Sequence, residues 1–558
     1  MEYKLRNSKM IVPYEKLVRY TYNKLGLGTV VSDILVNRHV SYGDIKNLLS
    51  DPWSCLKTDS LALTGCLDVC ESILSMINSK KDIVIFADYD VDGLMSGQIM
   101  YRYLKDQGAS VSVYYPERNE GYGLSVKFVK TLGENNAVIT VDNGIMANAA
   151  IDYCKKNNIQ VVVTDHHEPG NVIPDVPICD PWLGIEGHEF CGAAVALKVC
   201  EELDRLMDTD YAKQYYCYAA IGTITDVMPF TLENQAIINI GLQQIKNGLA
   251  PNILEFVKAL RIPELSSTDI AWKIGPELNA CSRMGNTQLA AEFLSGTGTK
   301  SDIQKLIQKI DQLNETRKKL TKEALADASE FDYSKDEFCL FDAKDYPAGI
   351  SGIIANKLME KYNKPAIVYK SNTGVVWSGS LRSPGIDMLP LLKQEAELGH
   401  IISYGGHAQA CGINLLPDLE SFKESFNKAL RSIDYQVSEP VVYIDSEIIH
   451  SDVNKKTLSD LSKIPTDNEK FPAPKFIIRD AVISGVRYSK NNPNNVCLSI
   501  VDRTGSKRDY WGWGIADKYN KIKSLNVVDI IGTLGWGFGN EQGQATFVIE
   551  DFIEPGVI

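Results

Sequence analysis

In 558 residues, no apolar run approaches the roughly 18–20 residues that a membrane-spanning helix needs. The opening residues, MEYKLRNSKM, lack the basic-then-apolar pattern of a secretory signal. Both absences lead to the expectation of a cytoplasmic protein with no membrane partner. No C-x-x-C occurs among the twelve cysteines, which sets aside the usual thiolate zinc and dithiol redox motifs. The closest pair, Cys66 and Cys70, has helical i,i+4 spacing and reads as buried thiols. Positive charge is not in excess, since the net charge is −13. A surface coated all over by nucleic acid is disfavoured, while a local basic groove in an acidic molecule stays open. A long internal repeat and a low-complexity tract are also missing, which excludes a repeat array.

What is present is an ordinary globular composition, 44% apolar and 23% charged, long enough for about three to five domains. Residues 1–60 read as an N-terminal extension of helix and loop. From 61 to 298 the pattern is strand, helix, strand: IVIF (Ile83 to Phe86), a helix from Gly93 to Gly108, VSVYYP (Val111 to Pro116), AVITV (Ala137 to Val141) and VVVT (Val161 to Thr164). Short apolar strands alternating with helices indicate a parallel sheet covered on both faces, and ligands collect at the carboxyl ends of such strands. Residues 299–330 are polar, helical and free of glycine and proline, apart from the boundary, and read as a connecting helix. Residues 331–436 alternate strands and helices again. Residues 437–558 consist of short strands with Gly, Asn and Asp turns, as expected of a small barrel.

The strands end in chemistry. IVIFADYDVDG carries Asp88, Asp90 and Asp92; AVITVDNG carries Asp142; VVVTDHH carries Asp165, His166 and His167. AAIGTITDVMP is expected to deliver Asp226 to the same edge in the same way. A single DxD or HH is weak evidence, because strand-end carboxylates also form turns and helix caps. Asp90 and Asp92, two apart, would project to one side of an extended segment. With Asp142, His166 and Asp226 they make four carboxylates and an imidazole on one rim, whose mutual repulsion bound cations would relieve. Mixed oxygen and imidazole ligation suits Mn²⁺ or Mg²⁺, and two such ions make a phosphoryl-transfer site.

The motifs DYDVDG (Asp88 to Gly93), VDNG (Val141 to Gly144), TDHH (Thr164 to His167) and TDV (Thr225 to Val227) resemble, in order, those of the DHH phosphoesterase superfamily. ERNEGYGLS (Glu117 to Ser125), FCGAAVALK (Phe190 to Lys198), IGPELNACSRMG (Ile274 to Gly285), WSGSLRS (Trp377 to Ser383) and YGGHAQACG (Tyr404 to Gly412) are similar to its branch of single-strand-specific 5′→3′ DNA exonucleases. The resemblance implies an α/β fold: a parallel-sheet DHH catalytic domain, the connecting helix, a second α/β DHH-associated substrate-binding domain and an OB-type β-barrel. It implies two divalent ions bridged by Asp142, with Asp90 on one and Asp92, His166 and Asp226 on the other. His167 would lie beside the scissile phosphate. Asp165 would orient the histidines, and Asp88 would be a turn residue or a supporting one.

Two features depart from the family. Many relatives carry histidine four residues before the first ligating aspartate, where this chain has Phe86, so one ion would be held loosely. The stretch before the barrel, IPTDNEKFPAPKF (Ile464 to Phe476), lacks the usual Pro, Phe and Gly richness. Arg283, Ser380, Arg382, Gly405, Gly406 and His407 are the expected phosphate contacts, with a salt bridge and a strand turn as the plain alternatives for Arg283 and the Gly-Gly-His segment. In the barrel, Arg487, Tyr488 and Lys490 near one turn and Lys507, Arg508, Tyr510 and Trp511 near another fit strand tracking with base stacking, although barrel-core rings would look the same.

The resemblance therefore implies metal-dependent hydrolysis of single-stranded DNA from the 5′ end, in recombination and repair. A single-strand-binding protein and a helicase are the expected protein partners, and a monomer is the default. A DHH enzyme for short oligonucleotides or cyclic dinucleotides, an inorganic pyrophosphatase, and a non-catalytic single-strand-binding replication subunit are the rivals. The terminal barrel argues against the first two. The complete acidic set argues against the third.

Overall fold

The computed structural model describes all residues except 1, 7–11, 57–62, 185–188, 373, 434–440, 465–471, 538–542 and 558. Most of the unusual stretch before the barrel therefore lies outside the described residues. Strand β1 (Glu2–Leu5) and the helices Val12–Lys24, Thr29–Asn37 and Tyr42–Ser50 come first. The first large sheet is built from β2 (Asp82–Ala87), β3 (Val111–Tyr114), β4 (Asn136–Val141), β5 (Gln160–Thr164) and β6 (Ile178–Cys179), in the order β3-β2-β4-β5-β6. Every pair is parallel. Successive side chains serve opposite faces: Ile139 joins the core beneath the helices Val91–Asp106 and Gly192–Met207, while Val138 and Val163 join a second core with Ile151 of the helix Asn148–Lys156. Central strands buried on both sides need continuous apolar runs, which explains IVIF and VVVT.

Asp226 does not end a strand. AAIGTIT lies in a buried helix, Tyr216–Thr225, and Asp226 is its C-terminal cap. The segment carries no charged residue and packs against the helices on the sheet, so burial rather than periodicity decided its conformation. Asp90 and Asp92 are likewise not on an extended segment, because Asp90 caps the helix Val91–Asp106 and Asp92 sits in its first turn.

The helix Lys300–Ala328 links this unit to a five-stranded sheet of β7 (Cys339–Asp342), β8 (Ala366–Tyr369), β9 (Trp377–Arg382), β10 (Ile401–His407) and β11 (Ala410–Leu415). Its order is β10-β11-β9-β8-β7, parallel between β7 and β8 and antiparallel elsewhere. Two short strands, β12 (Val441–Ile444) and β13 (Ser446–Glu447), then lead into β14 (Phe476–Tyr488), β15 (Val496–Val501), β16 (Lys507–Gly512), β17 (Val528–Trp536) and β18 (Ala545–Ile553). The last five close on themselves in the order β14-β15-β16-β18-β17, with β17 returning to β14, and form an OB-type barrel. Among the described residues, no helix is long and apolar enough to cross a membrane.

Candidate metal centre

The carboxyl ends of β2, β4 and β5 and the caps of two helices converge on one cleft. Asp90 accepts from Gly93 N at 3.1 Å, which holds it at the helix start. Asp92 reaches instead to the N-terminus of the helix Gly192–Met207, where Gly192 N at 2.6 Å and Ala193 N at 3.0 Å donate to its two oxygens. This close approach requires glycine. A Cβ on Gly192 would lie 2.6 Å from Asp142 Oδ1, and one on Gly222 would lie 2.3 Å from Asp92 Oδ1.

Asp142 follows β4 with φ +61°, a left-handed backbone that aspartate tolerates better than most residues. Its N–H bonds Thr164 O at 3.0 Å, which ties it to the strand carrying the histidines. Val227, next to Asp226, is also left-handed at φ +54°, an unfavourable state for a β-branched residue.

Three sets of ligand atoms lie mutually within 4.8 Å: Asp88, Asp90 and Asp142; Asp92, His166 and Asp226; and Asp142, His166 and His167. His166 Nε2 is 3.0 Å from Asp142 Oδ1, 3.7 Å from Asp92 Oδ2 and 3.8 Å from Asp226 Oδ2. Asp88 Oδ1 and Asp142 Oδ1 are nevertheless buried without a hydrogen-bond partner. Buried oxygens of this kind need a cation or a proton. The donor set, carboxylates with one imidazole, fits a hard divalent ion.

Electrostatics agree with that fit. Burial, followed by the charge of Asp90, raises Asp88 well above the usual carboxylate range and Asp92 to about 6. Asp142 and Asp226 are raised for the same two reasons, burial first and then Asp92 and Asp90. Burial and the neighbouring His167 lower His166 to about 3, which leaves its ring neutral with a lone pair to give. Burial opposes charge on His167 too, but the hydrogen bond and charge of Asp165 prevail and raise it to about 9. Asp165 accepts from His167 Nδ1 at 2.8 Å, His166 N at 2.8 Å and Ile145 N at 2.9 Å, so it holds the histidine pair and is itself fully engaged. Phe86 points away, into an aromatic cluster with Tyr114 at 5.6 Å and Phe128 at 4.8 Å.

The phosphate contacts expected from sequence lie on the second α/β unit and on its junction with the first. Register across β9, β11 and β10 puts Arg382, Ala410 and His407 in one row and Ser380, Gly412 and Gly405 in another. Alternation therefore gives Ser380, Arg382, Gly405 and His407 one common face. Gly406 falls in the intervening row, with Leu381 and Cys411 against the core. His407 is near enough for its charge to depress His166 further. Arg283 bonds Gly349 O at 3.1 Å, and burial together with Arg118 and Arg317 lowers it to about 10.

Two cleft residues lie within ERNEGYGLS, whose resemblance assigned neither of them a role. Arg118 stacks 4.3 Å over the ring of Tyr89, between the two acids of DYD, and bonds Ser282 Oγ at 3.2 Å. Tyr122 Oη lies 3.2 Å from His167 Nε2, the ring nitrogen that Asp165 leaves available. Glu117 anchors their loop by accepting from Thr287 N at 2.8 Å and Thr287 Oγ1 at 2.9 Å. A short polar turn, closed by Glu117 N donating to Glu120 at 2.8 Å, carries no periodic signal, so the family-like segment ERNEGYGLS gave no role to either residue.

On the barrel, Tyr488 is exposed, while Tyr510 is a core ring that bonds His450 Nδ1 at 3.0 Å. Trp511 stacks on Trp513 at 5.6 Å and 6°, so the surface pair is Trp511–Trp513 and not Tyr510–Trp511. Arg487 bonds Asp509 at 2.6 Å.

Comparison with known proteins agrees with this architecture. Residues 82–223 match the DHH family N-terminal domain, residues 336–439 the DHHA1 domain and residues 444–551 the RecJ OB domain. The single-stranded-DNA-specific exonuclease RecJ of Bacillus subtilis is 27% identical over 97% of this chain and 70% of its own length. A putative single-strand DNA-specific exonuclease of Bacillus phage SPbeta is 23% identical over 86% of this chain and 88% of its own. The crystal structure of Thermus thermophilus RecJ in complex with Mn²⁺ superposes with a TM-score of 0.81 at 22% identity, covering 99% of this chain and 80% of that one, and establishes the common fold. With all three domain types in this order around one acidic cleft, the chain belongs to the RecJ family of DHH phosphoesterases.

Proposed function

We propose that the chain is a nuclease that hydrolyses single-stranded DNA from its 5′ end to mononucleotides, with Mn²⁺ or Mg²⁺ in the acidic cleft. The observation that carries this reading is one juxtaposition. A cluster of acids with unpartnered buried oxygens sits beside a cluster of guanidiniums, across a seam between two α/β units. The first suits cations and the second suits a phosphate.

Asp142 would bridge two ions, sharing one with Asp90 and Asp88 and the other with Asp92, His166 and Asp226. Ions bound there supply an activated water and neutralise charge on the phosphate and the leaving oxygen. The chain's own residues prepare the rest. The amides of Gly192 and Ala193 fix Asp92, and neutrality of His166 leaves its nitrogen free to ligate. His167, held charged by Asp165, would stabilise negative charge on the scissile phosphate. Arg118, Arg283, Ser380, Arg382, Gly405 and His407 would grip a terminal phosphate, which positions a strand end rather than its middle and so sets polarity. Gly406 would contribute through its backbone alone.

The function would serve recombination and repair in the cytoplasm, with the chain acting as a monomer beside a single-strand-binding protein and a helicase. The test is incubation of unlabelled single strands with Mn²⁺ or Mg²⁺ and resolution of the products by mass. Mononucleotides are expected. Hydrolysis confined to very short oligonucleotides or cyclic dinucleotides would move the chain to the small-substrate branch, and tight binding without cleavage would make it a binding subunit.

A further inference from the structure

Residues 2–6 and 12–56 take no part in the chemistry proposed above, yet they are built into two other parts of the molecule. Strand β1 lies parallel to β12, pairing Glu2 with Val441 through Leu5 with Ile444. Arg6 N donates to Ile444 O at 2.8 Å. Just beyond, the Asp445 carboxylate is 1% exposed and accepts from Arg38 at 2.7 and 2.8 Å, with Arg6 Nε 3.2 Å away. Asn37 Nδ2 donates to the Asp445 carbonyl at 2.8 Å, and Gly28 N to Asp460 at 2.9 Å. The helix Thr29–Asn37 sends Val31, Ile34 and Leu35 into the same core as Phe476, Ile530 and Phe547 of the barrel.

That core also takes in the catalytic unit. Ala236 belongs to it, with Phe230 and Leu232 packed against it, and Trp53 meets Tyr216 at 4.9 Å. Elsewhere the barrel and the catalytic unit face each other across a cavity of about 750 Å³, with Arg261, Trp272 and Lys273 on one side and Lys475 and Trp536 on the other.

We infer that residues 2–6 and 12–56 are a clamp, latched by Arg38 and Asp445, that fixes the barrel relative to the metal cleft so that one long strand engages both. The inference rests on the single-strand nuclease reading. Two sites on one body reinforce each other only if their geometry permits simultaneous engagement. A barrel held by its connecting chain alone would lose much of that gain. Removing Arg38 would leave Asp445 buried with its bidentate partner gone, which favours release.

The test uses the full chain with Arg38→Ala and, separately, Trp53→Ala, which cuts the contact with the catalytic unit without stranding a charge. Each is assayed on an oligonucleotide too short to reach the barrel and on a strand well beyond the roughly 4–16 nucleotides one OB barrel covers. KM for the long strand should rise about 10-fold or more, with kcat and KM for the short one unchanged. Proteolysis should release the barrel faster in both variants, and Arg38→Lys should recover part of each effect. Equal loss on both substrates would overturn the clamp, because the module would then be supporting Asp226 through Phe230. Unchanged kinetics and proteolysis in both variants would overturn it as well. If the unmodified chain cleaves neither substrate, the nuclease reading fails, and the proteolysis result alone decides whether the module holds the barrel.

Discussion

Asp142→Asn keeps the shape of the side chain and deletes its charge, and its effect on stability should change sign with metal. Without metal, Asp142 shares its cleft with Asp88 and Asp90, all ligand atoms within 4.8 Å. Two unit charges at that distance repel by about 3.5 kcal/mol at an effective dielectric of 20. Protonation limits the repulsion: carrying an aspartic proton from its ordinary range to pH 7 costs about 1.36 kcal/mol per pH unit, or about 4 kcal/mol. The two routes agree. The new amide loses roughly 1 kcal/mol if its hydrogens find poor acceptors. The metal-free variant should therefore be about 2–3 kcal/mol more stable than the parent. At roughly 2–4 °C per kcal/mol for a unit of this size, the catalytic transition moves up on the order of 5–10 °C. Mn²⁺ at 1,000 times its Kd should reverse the order, since it stabilises the parent by about 4.1 kcal/mol and the variant hardly at all. Calorimetry of chelator-treated protein, with and without added Mn²⁺, reads all four states. A metal-free variant less stable than the parent would refute the reasoning, because Asp142 would then be a satisfied structural carboxylate.

Other outcomes follow from the same geometry. Asp165 raises His167 to about 9, so a charged imidazole persists through neutral pH and is lost as pH rises through that value. In Asp165→Asn the loss should move below pH ~8, read as an earlier alkaline limb in the pH–rate profile. Gly192→Ala drives a methyl onto Asp142 and should weaken Mn²⁺ binding about 10–100-fold by titration calorimetry, with the circular dichroism spectrum retained. Arg382→Ala should raise KM for 5′-phosphorylated strands about 10–150-fold, the equivalent of about 1.5–3 kcal/mol, with little change for 5′-hydroxyl strands and none in metal affinity. Trp513→Ala should cost about 1–3 kcal/mol in binding of long single strands by fluorescence anisotropy, without affecting very short ones.

Strand ends were the most legible part of the site, because β2, β4 and β5 are apolar runs that stop at their acids. Asp142, Asp165 and the histidines follow from that punctuation. Asp226 and the Asp90–Asp92 pair were placed on the right cleft but on the wrong kind of element. AAIGTIT has no charged residue to reveal a helical face, and a helix cap at Asp90 looks the same in sequence as a strand-end turn. The true arrangement separates the two acids: one caps its own helix and the other crosses to the amides of Gly192 and Ala193. Tyr510 could have been assigned correctly, since adjacent strand residues face opposite sides and Tyr510 and Trp511 cannot both line one surface. The pairing of β1 with β12 joins segments more than 400 residues apart in sequence through a four-residue strand, and no local pattern encodes it.

The most direct single measurement is digestion of single-stranded and duplex DNA, labelled at either end, with Mn²⁺ or Mg²⁺, beside Asp142→Asn under identical conditions. Rapid loss of the 5′ label from single strands alone, dependent on metal and absent in the variant, is the expected result. Equal release of label from both ends, or undiminished cleavage by the variant, would contradict the assignment of polarity or of the acidic cleft as the catalytic centre.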